Sequence, residues 1–248
     1  MNIIEDKILN MIKPKKNYFT ILFWILFLLL GTPVIAKDLK LINGKKFIVL
    51  TDEAPPKNMK WNQYGKVLES FHGVKAISNG SKNTNRKYQC TELIHRFLRE
   101  IYGLPSYIEL GLGNGKDLAY GISKKFAKPT RSIGLFSKYL VHLEYFESGK
   151  SKYPPVVGSI VSMHFNKDLN GYGHVGIIRT LVKNDDGSLT GFLFDQHGSM
   201  YKTVGVPIYA DKVIFNKREN GHWIGTVYSQ KFKRKYPIIG WASVIASY

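Results

Sequence analysis

The chain has 248 residues, 44% hydrophobic and 22% charged. That composition argues against intrinsic disorder, and the length suits one domain with added segments or two small ones. A formal net charge of +18, from 36 basic and 18 acidic residues, favours an anionic partner without choosing between nucleic acid and an envelope polymer or membrane surface. The single cysteine, Cys90, excludes an internal disulfide and a cysteine-rich zinc site, and in an exported chain leaves a free thiol or an intermolecular pair.

Lys13, Lys15 and Lys16 precede an apolar run from Tyr18 to Leu30, broken by Gly31-Thr32-Pro33 and followed by Val34-Ile35-Ala36. A basic region, an apolar region and a small-residue site are the order of a secretory signal. Cleavage is expected after Ala36. The alternative is an uncleaved anchor, since Phe19 to Ala36 is 18 residues, at the short end of the roughly 17–25 that span a bilayer. Either reading of residues 1–36 places the remainder outside the cytoplasm, in the periplasm, the cell envelope or the medium. Those 36 residues hold four lysines against Glu5 and Asp6, so most of the positive charge belongs to residues 37–248.

Residues 37–69 read as an irregular lead-in with a break at Asp52-Glu53-Ala54-Pro55-Pro56, and residues 70–248 as the main domain. Gly73 to Gly80 reads as a short strand ending in an Asn-Gly turn. From Cys90, Leu93, Ile94, Phe97, Leu98, Ile101 and Tyr102 recur at helical spacing, closed by Gly103 and Pro105, which places Cys90 in the first turn on the apolar side. Residues 115–152 read as helical and basic. Strands are expected at Ser159–Phe165, Gly173–Val182 and Leu189–Gln196, the last two joined by a turn at Asn184-Asp185-Asp186-Gly187-Ser188, and near Lys212–Phe215, Trp223–Tyr228 and Ile238–Ile245. Helices first and antiparallel strands after predict an α+β fold.

A cysteine attacks as its thiolate, which a helix N-terminus favours. A nearby imidazole can take the thiol proton, and a third polar group fixes the imidazole. Cys90 starts the clearest helix. His174 starts a strand after Gly171-Tyr172-Gly173, and Asp195 ends the next one, so a hairpin between those strands would bring His174 and Asp195 together. His95, His142, His164 and His222 lack such a setting and read as surface or structural.

At these residues the chain resembles the CHAP domain, the cysteine- and histidine-dependent amidohydrolase/peptidase family. Gly73-Val74 with Ser78-Asn79-Gly80, Tyr88-Gln89-Cys90-Thr91-Glu92, Gly113-Asn114-Gly115-Lys116-Asp117, Pro155 to Val161, Gly173-His174-Val175-Gly176-Ile177-Ile178, Phe194-Asp195-Gln196-His197 and Ile239-Gly240-Trp241 resemble the family's motifs in the family's order, over roughly residues 70–245. The family often has Gly-Asp where Gly158-Ser159 stands. It more often has glutamate at the place of Asp195, and often asparagine at that of His197, so both remain candidates for the group that orients His174.

The resemblance implies a papain-like α+β fold, with the nucleophile at the start of an N-terminal helix packed on an antiparallel β-sheet. It implies acyl transfer through a thioester, usually on amide bonds of peptidoglycan, with no metal or organic cofactor. Cys90 would be nucleophile, His174 general base and then acid, and Asp195 the orienting group. The backbone N–H of Cys90, with a donor from Tyr88 or Gln89, would face the oxyanion. The implied partner is peptidoglycan or another anionic envelope polymer, with no specific nucleic acid. The rivals are a same-family amidase acting on a small peptide or peptide–polyamine conjugate, a non-enzymatic envelope-binding protein, and a nucleic-acid binder suggested only by the charge.

Overall fold

The computed structural model describes residues 38–55, 59–60, 65–78, 89–105, 114–133, 136–164, 171–196, 207–208, 211–229 and 233–247. The chain forms two units, Met1–Val34 and Ile35–Tyr248, and the first lies outside the described residues. So do the expectations for the whole 1–36 segment, for Asn79-Gly80, Tyr88 and Gly113, and for His197.

Helix α1 spans Cys90–Tyr102. Leu93, Ile94, Phe97, Leu98, Ile101 and Tyr102 are all buried, while Arg99 and Glu100 face solvent, so the helix is fixed by one apolar face. Each such side chain contributes about 1.5–3 kcal/mol on burial. Gly103 ends the helix at φ 64°, a left-handed conformation that glycine takes without a Cβ penalty. Helix α2 spans Gly115–Lys125 and buries Leu118, Ala119 and Ile122.

Strands β1 (Asp38–Ile42) and β2 (Lys45–Val49) form a hairpin within the stretch expected to be irregular. Asn43 and Gly44 sit at its turn with φ 46° and 81°, a strong Asn-Gly hairpin signal. The short β3 (Met59–Lys60) and the hairpin of β4 (Val67–Phe71) and β5 (Val74–Ile77) come next. After α2 come β6 (Thr130–Arg131) and β7 (Leu140–Glu147). The expectation of helix through residue 152 therefore fails beyond α2. Pro129 bars its continuation, and β7 instead alternates, burying Val141 and Leu143 between more exposed neighbours.

The remaining strands are β8 (Ile160–Met163), β9 (His174–Lys183), β10 (Leu189–Phe194), β11 (Pro207–Ile208), β12 (Lys212–Lys217), β13 (Trp223–Ser229) and β14 (Arg234–Ser247). Antiparallel pairing runs β8-β9-β10-β12-β13-β14, and β14 pairs back onto β8. The six strands close on themselves. The fold is thus mostly β, a closed six-stranded barrel with two described helices against it, and the expected papain-like α+β arrangement of a helix on a sheet is wrong. The cause is the length of β14. Its first residues pair with β13, its middle with β8, and its second half also with β7. Closure satisfies backbone groups that an open sheet would leave at an edge. Periodicity shows that β14 is a strand but not which partners it reaches.

Helix α1 packs against β9 and β5, and α2 against β7, β14, β8 and β9. Both helices thus lean on the strand that starts with His174.

Candidate active site

Three chain segments meet at one end of β9 and β10. Gln89 enters α1 in an extended conformation, φ −86° and ψ 165°, so Cys90 is the first helical residue. Its amide belongs to the helix turn whose N–H groups have no partner within the helix. The side chain is half-buried and the thiol is free of any disulfide.

His174 opens β9 opposite Met163 of β8 and is only 2% exposed. Two glycines make room for it. A Cβ on Gly173 would lie 2.5 Å from the Met163 carbonyl oxygen and the Lys116 Cβ, and one on Gly115 would lie 2.8 Å from the His174 Cα. The start of α2 is held there by the Ser162 hydroxyl, which donates to the Gly115 carbonyl (2.8 Å) and accepts from the Ala119 N–H (2.9 Å).

Antiparallel pairing of β9 with β10 sets Phe194 opposite Ile177, which brings the next residue, Asp195, beside His174. The His174 Nε2 lies 3.2 Å from the Asp195 Oδ2, and both residues are buried. The imidazole also hydrogen-bonds the Cys90 thiol. Burial works against a charge on His174, but the Cys90 sulfur and then the Asp195 carboxylate outweigh it and push the imidazole up to about 10. The structure therefore brings together Cys90, His174 and Asp195, while His197 lies outside the described residues. His95 is buried within α1, held down to about 4 first by burial and then by Lys125.

Two polar groupings around this site escape a sequence reading. The first surrounds Gln196, which is 0% exposed. Its Nε2 donates to the Gln89 carbonyl (3.0 Å) and to Glu92 Oε2 (3.0 Å), and its Oε1 accepts from the Ile77 N–H (2.7 Å). Glu92 is gripped by Arg96 through Nε (2.7 Å) and Nη2 (3.0 Å), an i,i+4 spacing that the sequence does show.

The second pairs Glu69 of β4 with Arg179 of β9. Arg179 falls where the β9–β10 register slips, opposite no residue of β10, and such a bulge re-aims its side chain. Glu69 also accepts a hydrogen bond from the Asp195 backbone N–H. Burial pushes Glu69 up to about 8, against the pull of Arg179 and with the help of the Asp195 charge. A lone arginine inside the apolar run Val175 to Val182 was the available signal, because a charge there must be buried with a partner.

Among the described residues there is no group of three or more histidine, cysteine, aspartate or glutamate side chains placed to hold a metal ion, nor a helix long and apolar enough to cross a membrane. A search of curated proteins gives no match. The family model of the CHAP domain matches residues 80–192, a stretch that holds Cys90 and His174 and ends just before Asp195. That match supports a CHAP domain assignment for this stretch, and members of the family are generally amidohydrolases and peptidases.

Proposed function

We propose that the chain is an exported cysteine amidase or endopeptidase that hydrolyses amide bonds of peptidoglycan through a thioester. The observation that carries this reading is His174 hydrogen-bonded to the Cys90 thiol on one side and to Asp195 on the other. The Cys90 sulfur, its proton held by His174, attacks the amide carbonyl carbon. The oxyanion is stabilised by the Cys90 backbone N–H and the positive end of α1. The imidazolium then gives its proton to the leaving amine, the C–N bond breaks and the thioester remains. Water attacks the thioester while His174 takes one of its protons, releasing a carboxylate and returning the thiol. Asp195 holds the ring through its Nε2 and favours the imidazolium.

Peptidoglycan is supported by the family's usual substrate and by the net charge of +18, which would concentrate the enzyme on an anionic polymer. Export is supported by the basic and apolar order of residues 1–36. The test is mass analysis of products released from purified peptidoglycan by the wild type and by Cys90→Ala. New amine and carboxyl ends from the wild type alone are expected. No release from peptidoglycan of any type would move the substrate to another exported amide.

A further inference from the structure

Catalysis by the proposed pair depends on where Cys90 sits relative to His174, yet the two come from different elements, the start of α1 and the start of β9. The apolar face of α1 fixes the body of the helix. It does not by itself fix the first turn to the fraction of an ångström that proton transfer needs. Gln196 bridges the two. It follows Asp195 directly and bonds the carbonyl of Gln89, which directly precedes Cys90.

The contacts close into a ring. Gln196 binds Glu92 in the first turn of α1, and Glu92 is held by both arms of Arg96. Arg96 donates to the Lys75 carbonyl on β5 and reaches Gln196 Oε1 at 3.3 Å, and β5 returns to Gln196 through the Ile77 N–H. The Arg96 guanidinium also offsets the Glu92 carboxylate, which would otherwise oppose a thiolate two residues away. A fully buried amide gains little net stability over an apolar side chain of similar shape, so what glutamine adds at this place is a set distance and direction.

We propose that Gln196 is a positioning residue for the Cys90–His174 pair, acting through Glu92 and Arg96 to set the first turn of α1 against the end of β10. The proposal rests on Cys90 being the nucleophile but not on the identity of the substrate. The full chain is treated with iodoacetamide and alkylation of Cys90 is followed by mass, beside a thermal melt for each variant. Gln196→Leu is expected to slow alkylation about tenfold at about pH 6.5, the size of one lost buried hydrogen bond. The deficit should narrow at about pH 9.5, where an ordinary thiol ionises unaided. Gln196→Glu, which sets a second carboxylate against Glu92, should be as slow. Adding Glu92→Gln to it restores the contact between 92 and 196 in the opposite sense, though not the donor to the Gln89 carbonyl, and should recover part of the rate.

Gln196→Leu alkylating as fast as wild type would overturn the proposal. So would a double variant no faster than Gln196→Glu alone, and that comparison decides the matter if Gln196→Leu does not fold. An inert thiol in the wild type would overturn both this and the assignment of Cys90 as nucleophile. A wild type that alkylates readily but releases nothing from peptidoglycan would overturn the substrate alone.

Discussion

Strand β9 carries two buried charged clusters, His174 at its first residue and Arg179 five residues on, and they are built in opposite ways. All three nitrogens of Arg179 are engaged. Its Nε donates to the Glu53 carbonyl (2.8 Å) and its Nη2 to those of Ala54 (3.1 Å) and Ser70 (3.3 Å), while Nη1 meets Glu69. The guanidinium also lies against the rings of Phe71 and Phe194. An arginine cannot give up its proton, so the guanidinium can only hold. His174 instead faces two groups that each favour its proton, the Asp195 carboxylate and the half-buried Cys90 sulfur, and an imidazole, unlike a guanidinium, can pass a proton on. Equal burial thus serves two tasks, and the partners decide which.

The largest expected effect falls on the exchanging cluster. Cys90→Ala should reduce hydrolysis to background, and His174→Ala should lower turnover by roughly 10²–10⁴. The thermal midpoint of Cys90→Ala should stay near wild type, since a half-buried thiol contributes little packing. Turnover measured beside a melt checks both, and a folded, fully active Cys90→Ala would falsify the assignment. Arg179→Met should do the reverse. It leaves Glu69 buried without its cation, at a cost of about 3–5 kcal/mol in urea unfolding, with activity lost in step with the folded fraction. An Arg179→Met chain of wild-type stability would show that the holding cluster holds nothing.

Asp195 sits between the clusters, bonded to His174 by its side chain and to Glu69 by its backbone. Because His174 is raised to about 10, the imidazolium that would protonate the leaving amine in the proposed reaction is present at neutral pH and is lost as pH rises through that value. Hydrolysis should therefore decline on the alkaline side. Asp195→Asn removes a contribution that raises His174, so its alkaline limb should move to lower pH, with a smaller loss at neutral pH than His174→Ala. A pH–rate profile for the two variants checks this, and a limb that stays in place would separate Asp195 from the proton.

How far each cluster was legible depends on what periodicity can carry. Cys90 at a helix start, His174 at a strand start and Asp195 at the end of the next strand are all local facts, and two strands joined by a short turn pair without further information. The barrel was not legible, because closure depends on β14 reaching back to β8, a pairing no local pattern encodes. Gln196 was missed although it adjoins Asp195, since its partners Ile77, Gln89 and Glu92 are about a hundred residues away or more. Arg179 was visible as a charge in an apolar strand, but Glu69, between Leu68 and Ser70, carries no mark of its own. The β1–β2 hairpin was a different failure, since its Asn43-Gly44 turn was readable.

The smallest effect sharpens the comparison most. Gly115→Ala sits at the start of α2, where φ is not positive and alanine would ordinarily stabilise a helix by up to about 1 kcal/mol over glycine. Its Cβ, however, would lie 2.8 Å from two backbone atoms of His174, a contact that no side-chain rotation relieves. Overpacking of this kind costs about 1–3 kcal/mol, so a modest net destabilisation is expected. The displaced atoms belong either to the first turn of α2, tied down by Ser162, or to His174, tied by Asp195 and Cys90. Movement of His174 disturbs the exchanging cluster and leaves Arg179 untouched, so turnover should fall further than the loss of folded protein explains. Measuring turnover per folded molecule beside urea unfolding decides it. A Gly115→Ala chain that loses stability but keeps full turnover would show that α2 supports the barrel without setting the histidine.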